Sequence, residues 1–323
     1  MSTPETKKEV LLAIMRDKLF RFIVRHGRRM ASLFWSLVYA VIFFVSQVFA
    51  GLLILAVTLT NMAANAAAEG KLNPNDPSAI HQFVYEQLIP TTITVIPWML
   101  LVSCLATLAA VAIIAKLRDL DLRKFASLNP TKPAVVIFAL FFGIGFSLAF
   151  NSLVNMPGLE VLQDYETSLA QSMLFGSILT AIIGSTIVPI AEEIVFRGFM
   201  LNELRRGWGL LFSMLFSSII FGILHGTAAW AVFAAVLGLL LAWLALRTRS
   251  IYPAIAAHMG INGASFVFVW TEPEGLSLFI LMLAVGLLIF VVSSVFIITR
   301  TRPLSELEPA PEPLPKRRNT HEC

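Results

Sequence analysis

Charge is what this sequence has little of. Asp, Glu, Lys and Arg make up 14% of its 323 residues, where soluble domains carry roughly 25%. Hydrophobic residues make up 57%, more apolar surface than one soluble core of this size could hide, so a lipid bilayer must serve as part of the solvent. Cysteine is nearly absent as well. Cys104 lies in an apolar run and Cys323 is the last residue, which leaves neither a disulfide framework nor a cysteine metal motif. Cys104 reads as a small core residue. Cys323 lacks the three residues that a prenylation box needs after its cysteine. The formal charge of +4 is modest, and its distribution along the chain says more than its sum.

What is abundant are long apolar runs. A spanning helix needs about 20 such residues. Candidates fall near 32–60, 92–115, 134–152, 174–196, 209–226, 229–246, 251–270 and 277–299. The expected fold class is therefore all-α, a polytopic transmembrane bundle of about eight spanning helices. The run from Ala31 to Thr60 is too long for a signal-peptide core of about 7–15 residues and reads as the first membrane helix.

The connecting segments alternate in charge. Arg16, Arg21, Arg25, Arg28 and Arg29 precede the first span, and Lys116, Arg118, Arg123, Lys124 and Lys132 follow the second. Arg205 and Arg206 follow the fourth, Arg247 and Arg249 the sixth, Arg300 and Arg302 the eighth. The intervening segments carry Glu69, Asp76 and Glu86, then Glu160, Asp164 and Glu166, then Glu272 and Glu274. By the positive-inside rule this predicts a multi-pass protein of the cell membrane with both termini cytoplasmic. Five sections are expected: a basic cytoplasmic segment over 1–30, N-terminal membrane helices over 31–170, a chemistry-bearing group of helices over 171–270, a last span over 271–302, and a Pro-rich flexible tail over 303–323. Leu11, Leu12, Met15, Leu19, Phe22 and Ile23 recur at helical spacing among basic residues, the pattern of an amphipathic surface helix.

Ionisable groups at membrane depth are costly, so each calls for a reason. Glu192, Glu193, Arg197, His225 and His258 stand out, with Asn262 as a strongly polar amide. On a helix Glu193 and Arg197 share a face and can pair. Glu192 is rotated about 100° away, which leaves it as a carboxylate without a counter-ion and a candidate general base. His258 and Asn262, four apart among Ala254, Ala256, Ala257, Gly260, Gly263 and Ala264, share a face where backbones can approach closely. Each feature alone also fits a structural role: a solvated headgroup carboxylate, a helix-end histidine, an interhelical hydrogen-bonding pair. Together they form a plausible hydrolytic site, with Glu192 activating a water, His225 orienting it, and His258 with Asn262 stabilising an oxyanion. A zinc site built from Glu192, His225 and His258 is the chemical rival. Other intramembrane hydrolase signatures are missing. There is no His-Glu-x-x-His and no Gly-x-Gly-Asp, and Phe266 stands where a rhomboid-type Gly-x-Ser-Gly pattern over Gly263-Ala264-Ser265 would need glycine, so Ser265 reads as a packing residue.

The motifs Glu192-Glu193-x-x-x-Arg197, Phe221-x-x-x-His225 and His258-x-x-x-Asn262 resemble the three signatures of the CPBP (Abi) family of membrane endopeptidases, which includes the type II CAAX prenyl endopeptidase. Their order, the spacings of 32 and 33 residues from Glu193 to His225 to His258, and the segment Phe196-Arg197-Gly198 match as well, over about 170–270. The resemblance implies an all-helical bundle with a polar cavity open to the cytoplasm. It implies catalytic Glu192, His225, His258 and Asn262, and structural support from Glu193 and Arg197. It also implies a cofactor-free mechanism, with zinc as the alternative. The expected partners are membrane lipids and a peptide or membrane-protein substrate, not nucleic acid. A non-catalytic immunity or scaffold protein of the same fold, or a proton-coupled transporter, are the competing readings. Helix 5 raises one tension: His225 falls about 16 residues into it, a rise of about 24 Å, which fits if Gly207 and Gly209 start that helix deep in the bilayer.

Overall fold

The computed structural model describes residues 4–70, 76–156, 177–271 and 273–310. Within them the chain is all-helical. Seven helices are long and apolar enough to cross a membrane, and the chain is a multi-pass membrane protein.

Helix α1 runs unbroken from Pro4 to Ala68, so the basic segment and the first span form one rod. Met15, Leu19, Phe22 and Ile23 are exposed along it, while the side chains of Leu11 and Leu12 lie outside the described residues. A short α2, Pro77–Phe83, begins at the Asp76 cap and leads through a π-helical turn at Val84–Leu88 into α3, Ile89–Leu117. One turn, α4 (Leu122–Phe125), is capped by Asp121. Helix α5 spans Pro133–Val154, and its first residue is proline, whose missing N–H costs nothing there. The acidic segment at Glu160, Asp164 and Glu166 lies outside the described residues.

The next helix departs from the expected boundary near 196. Helix α6, Ile178–Glu193, passes through a π-helical stretch at Ile194–Met200 into α7, Leu201–Gly207. It forms a single 30-residue span. Gly198 does not break it, because its bare Cα faces Ala126, whose Cα is 3.1 Å from where a Cβ would stand. The fifth candidate is the short one. Helix α8 covers Leu210–Ile223, about 21 Å of rise, less than the roughly 30 Å hydrocarbon core. The chain then turns at Gly226, whose φ of +98° suits a residue without Cβ, and enters α9, Ala228–Thr248. Helices α10, Tyr252–Thr271, and α11, Leu276–Arg300, complete the bundle. The tail was expected to be flexible, yet 303–310 folds back. Leu304 and Leu307 pack against the cluster around Leu201 and Leu246, and Arg205 and Arg249 donate to the carbonyls of Glu308 and Glu306. The remainder, with Cys323, lies outside the described residues.

Two packing modes hold the bundle together. In the N-terminal half large side chains interlock. Tyr39 and Phe43 of α1 meet Phe199 and Phe196, and Ser103 Oγ of α3 donates to Gln47 Oε1 at 2.7 Å. In the C-terminal half backbones touch. A Cβ on Gly143 of α5 would lie 2.7 Å from the Ala257 carbonyl carbon of α10, and one on Gly145 would lie 2.6 Å from Phe290 N of α11. Small residues of this kind permit close helix approach where no hydrophobic effect operates between lipid-exposed faces. That close contact fixes α10, and with it His258, against the rest of the bundle.

Candidate active site

The site forms where α6, α8, α9 and α10 converge. Glu193 is fully buried and Arg197 nearly so, with Arg197 Nη1 donating to Glu193 Oε1 at 3.0 Å. This is the i,i+4 pair that the sequence spacing predicts. Arg197 also donates through Nη2 to the Gly238 carbonyl of α9 at 3.2 Å and lies over the Phe221 ring at 4.3 Å. An arginine so engaged pins three helices together.

His258 reaches across from α10. Its Nδ1 lies 2.9 Å from Glu193 Oε1. A carboxylate oxygen facing an arginine accepts, so the hydrogen sits on Nδ1 and orients the ring. Nε2 then faces Glu192 Oε2 at 3.5 Å. Glu192 itself is 93% buried and has no guanidinium partner among the described residues. Glu193 Oε2 is buried and meets no hydrogen-bond donor there either. The centre thus holds more acceptor capacity than its own donors fill.

The remaining motif residues flank this centre. His225, at the end of α8, turns Nδ1 onto the Phe221 carbonyl at 2.6 Å. That carbonyl can only accept, so Nε2 is left as an acceptor. Phe221 stands between the two histidines, with ring centroids 4.4 Å from His225 and 6.0 Å from His258. Asn262 spends one of its two amide hydrogens on the Gly184 carbonyl of α6 at 2.9 Å, five residues before Pro189. The structure therefore joins Glu192, Glu193, Arg197 and His258 directly and holds His225 and Asn262 at the margins. Ser265 sits apart, bonded to Ser147 and Asn151 of α5.

Sequence reasoning passed over the N-terminal helices as contributors. Cys104 of α3 is buried, beside the Ser103–Gln47 pair. A lone amide such as Gln47 inside an apolar run was the available signal. The depth of His225 follows from the longer fourth span, and not from a fifth helix that starts deep in the bilayer. Because α6 and α7 run on to Gly207, Glu192 lies 15 residues before that turn and His225 lies 16 after Gly209, at matching distances. Of the zinc alternative's three donors, Glu192 and His258 face each other; among the described residues no group of three His, Cys, Asp or Glu side chains is drawn together.

Residues 174–264 match a family described as Rce1-like, type II CAAX prenyl endopeptidase Rce1-like. The "Putative membrane peptidase YdiL" of Bacillus subtilis (strain 168) is 36% identical over 84 residues, 26% of this chain and 34% of that protein. The match thus spans about a third of the relative's length. No solved structure matches the chain. Over the stretch that carries all six motif residues, the chain is therefore similar to the type II CAAX prenyl endopeptidases, the family its motifs resemble.

Proposed function

We propose that this protein is a membrane endopeptidase that hydrolyses a peptide bond of a membrane-associated or lipidated substrate. The substrate would reach the glutamates from the end of the bundle where the basic residues gather, the cytoplasmic end by the positive-inside rule. The observation that carries the reading is the pair Glu192 and His258. Glu192 is a buried carboxylate without a guanidinium, and it faces an imidazole whose orientation is set by Glu193.

In this reading a water lies between Glu192 and His225, one hydrogen directed at the carboxylate and the other at His225 Nε2. Glu192 takes a proton as the hydroxyl adds to the carbonyl carbon. The second amide hydrogen of Asn262 and the Nε2 side of His258 stabilise the oxyanion. The C–N bond then breaks, and Glu192 returns its proton to the leaving amine. Glu193 and Arg197 hold the frame. No step needs a metal, and the test below includes a chelator arm.

The parent protein, Glu192→Ala and Glu192→Gln would be purified in detergent and assayed at neutral pH against a library of apolar and lipidated peptides, with and without chelator. Cleavage by the parent, lowered about 10²–10⁴-fold in both variants while they remain folded, supports Glu192 as the base. Chelator sensitivity would transfer the role to zinc. Equal cleavage by all three would assign the activity to a contaminant and sink the proposal. Cleavage by none would favour the non-catalytic alternative.

A further inference from the structure

A second polar feature lies at the ends of the spans, and none of the six motif residues lines it. A cavity of about 400 Å³ opens between the loop that enters α5, the turn from α9 to α10 and the end of α11, and five cationic residues line it: Lys132, Arg247, Arg249, Arg300 and Arg302. No acidic side chain lines it. Its walls are fixed. Arg247 donates to Thr301 Oγ1 at 3.0 Å and to the Ile298 carbonyl at 2.8 Å, closing the C-terminus of α11. Asn129 Nδ2 donates to the Arg249 carbonyl at 2.8 Å, Ser250 Oγ returns a bond to the Asn129 carbonyl at 2.7 Å, and Ile251 N–H donates to Ser127.

Among the described residues none of the five cations pairs with a carboxylate. Arg247 is occupied by the end of α11, Arg249 by the Glu306 carbonyl, and Arg300 lies beside the Phe296 ring. Lys132, Arg300 and Arg302 are exposed and have no carboxylate partner among the described residues. Like charges gathered around one small depression repel, and a fixed frame that keeps them there is suited to an anion. The depth of the cavity selects the kind of anion. Pro133 begins a span, Thr248 ends one and Arg300 ends another, so the cavity stands at headgroup level. Basic pockets between spanning helices at that level bind acidic lipid headgroups.

We propose that this cavity is a binding site for a phosphate ester, supplied by the headgroup of an anionic phospholipid. Lys132, Arg300 and Arg302 would hold the phosphate, while Arg247 and Arg249 shape the walls. The site is independent of the peptidase reading.

The test uses the full chain in detergent and native mass spectrometry with dioleoyl phosphatidylglycerol, dioleoyl phosphatidylcholine and, separately, inorganic phosphate followed by thermal shift. The variants are Lys132→Ala/Arg300→Ala/Arg302→Ala and, as an equal loss of charge elsewhere, Arg16→Ala/Lys18→Ala/Arg123→Ala. Phosphatidylglycerol is expected to bind the parent more tightly than phosphatidylcholine, and each charge removed from the cavity should weaken it about fivefold, roughly a hundredfold for the triple. The control triple should bind as the parent does. Equal weakening in both triples would reduce the effect to general surface attraction and overturn the site, as would equal binding of the two lipids. Stabilisation by inorganic phosphate, lost in the cavity triple, without any preference for phosphatidylglycerol would retain the phosphate chemistry and overturn the lipid source. If the triple fails to fold, the exposed Lys132→Gln and Arg302→Gln decide by the same readout.

Discussion

Glu193 and Glu203 stand ten residues apart on one 30-residue span, and both are buried against arginine. Their surroundings differ in stoichiometry. Glu203 answers to two guanidiniums: Arg118 donates to both of its oxygens, at 3.0 and 3.3 Å, and Arg206 donates to Oε1 at 2.9 Å. Around Glu193 the ratio is reversed, with two carboxyl groups, Glu192 and Glu193, for the single Arg197. One cluster is filled by its own donors. Among the described residues the other keeps Glu193 Oε2 unpartnered and Glu192 facing an imidazole in place of a guanidinium. A filled cluster fastens helices, here α1, α3 and α7, whereas an underfilled one can receive a water or a reacting amide. The same residue types thus fasten helices in one place and, under the proposed function, would carry the chemistry in the other.

The sharpest way to break that comparison is to remove one partner from each cluster. Arg197→Met would leave Glu193 buried with no counter-charge, and breaking a buried pair in this way costs about 3–5 kcal/mol. Glu203→Gln keeps the shape and keeps an acceptor for Arg118 and Arg206, both of which retain some contact with solvent, so its cost should stay nearer about 1–3 kcal/mol. Denaturation midpoints in a common detergent measure both. A smaller loss for Arg197→Met than for Glu203→Gln would mean that the central cluster is not the more tightly committed of the two.

How far could the sequence alone have separated them? Glu193 with Arg197 was legible, because a spacing of four on a helix is a local rule. The all-α class and the order of the spans were legible too, since apolar length needs no tertiary information. His258 on Glu193 spans 65 residues, and no local rule reaches that far; only the resemblance to a family placed the two motifs together. Arg118 was read as a loop charge marking the cytoplasmic side, yet it lies 3.9 Å over Trp35 and bonds Tyr39 and Glu203. The boundary of the fourth span was set too early because Glu192 to Arg197 looks like a polar end. Burial of those charges against one another, visible only in three dimensions, lets the helix continue.

Two glycines sharpen the contrast by geometry rather than charge. Gly143→Ala would drive a methyl group into the Ala257 backbone, next to His258, and Gly207→Ala would place one 2.9 Å from Arg29 Cα, next to Arg206. Both should cost about 1–3 kcal/mol, the usual range for overpacking. Only Gly143→Ala should also lower peptide cleavage in the protein that remains folded, because it moves α10 and the imidazole with it. Equal activity losses in the two variants would show that the site responds to general loosening and not to the α5–α10 contact.

The smallest change tests whether the peripheral cluster is filled to excess. Tyr39 is buried and its hydroxyl accepts from Arg118 Nη1 at 2.7 Å, but the same nitrogen also reaches Glu203 at 3.0 Å. Tyr39→Phe removes an acceptor that Arg118 can do without, and the ring packing on Phe199 is kept. The expected cost is that of one net hydrogen bond, about 0.5–1.5 kcal/mol, with peptide cleavage unchanged. A larger loss would mean that the hydroxyl positions Arg118 on Glu203, so that the cluster depends on a chain of contacts instead of holding donors to spare. In that case it would resemble the central cluster, where His258 is oriented only through Glu193, and the division between a fastening cluster and a reactive one would rest on burial depth alone.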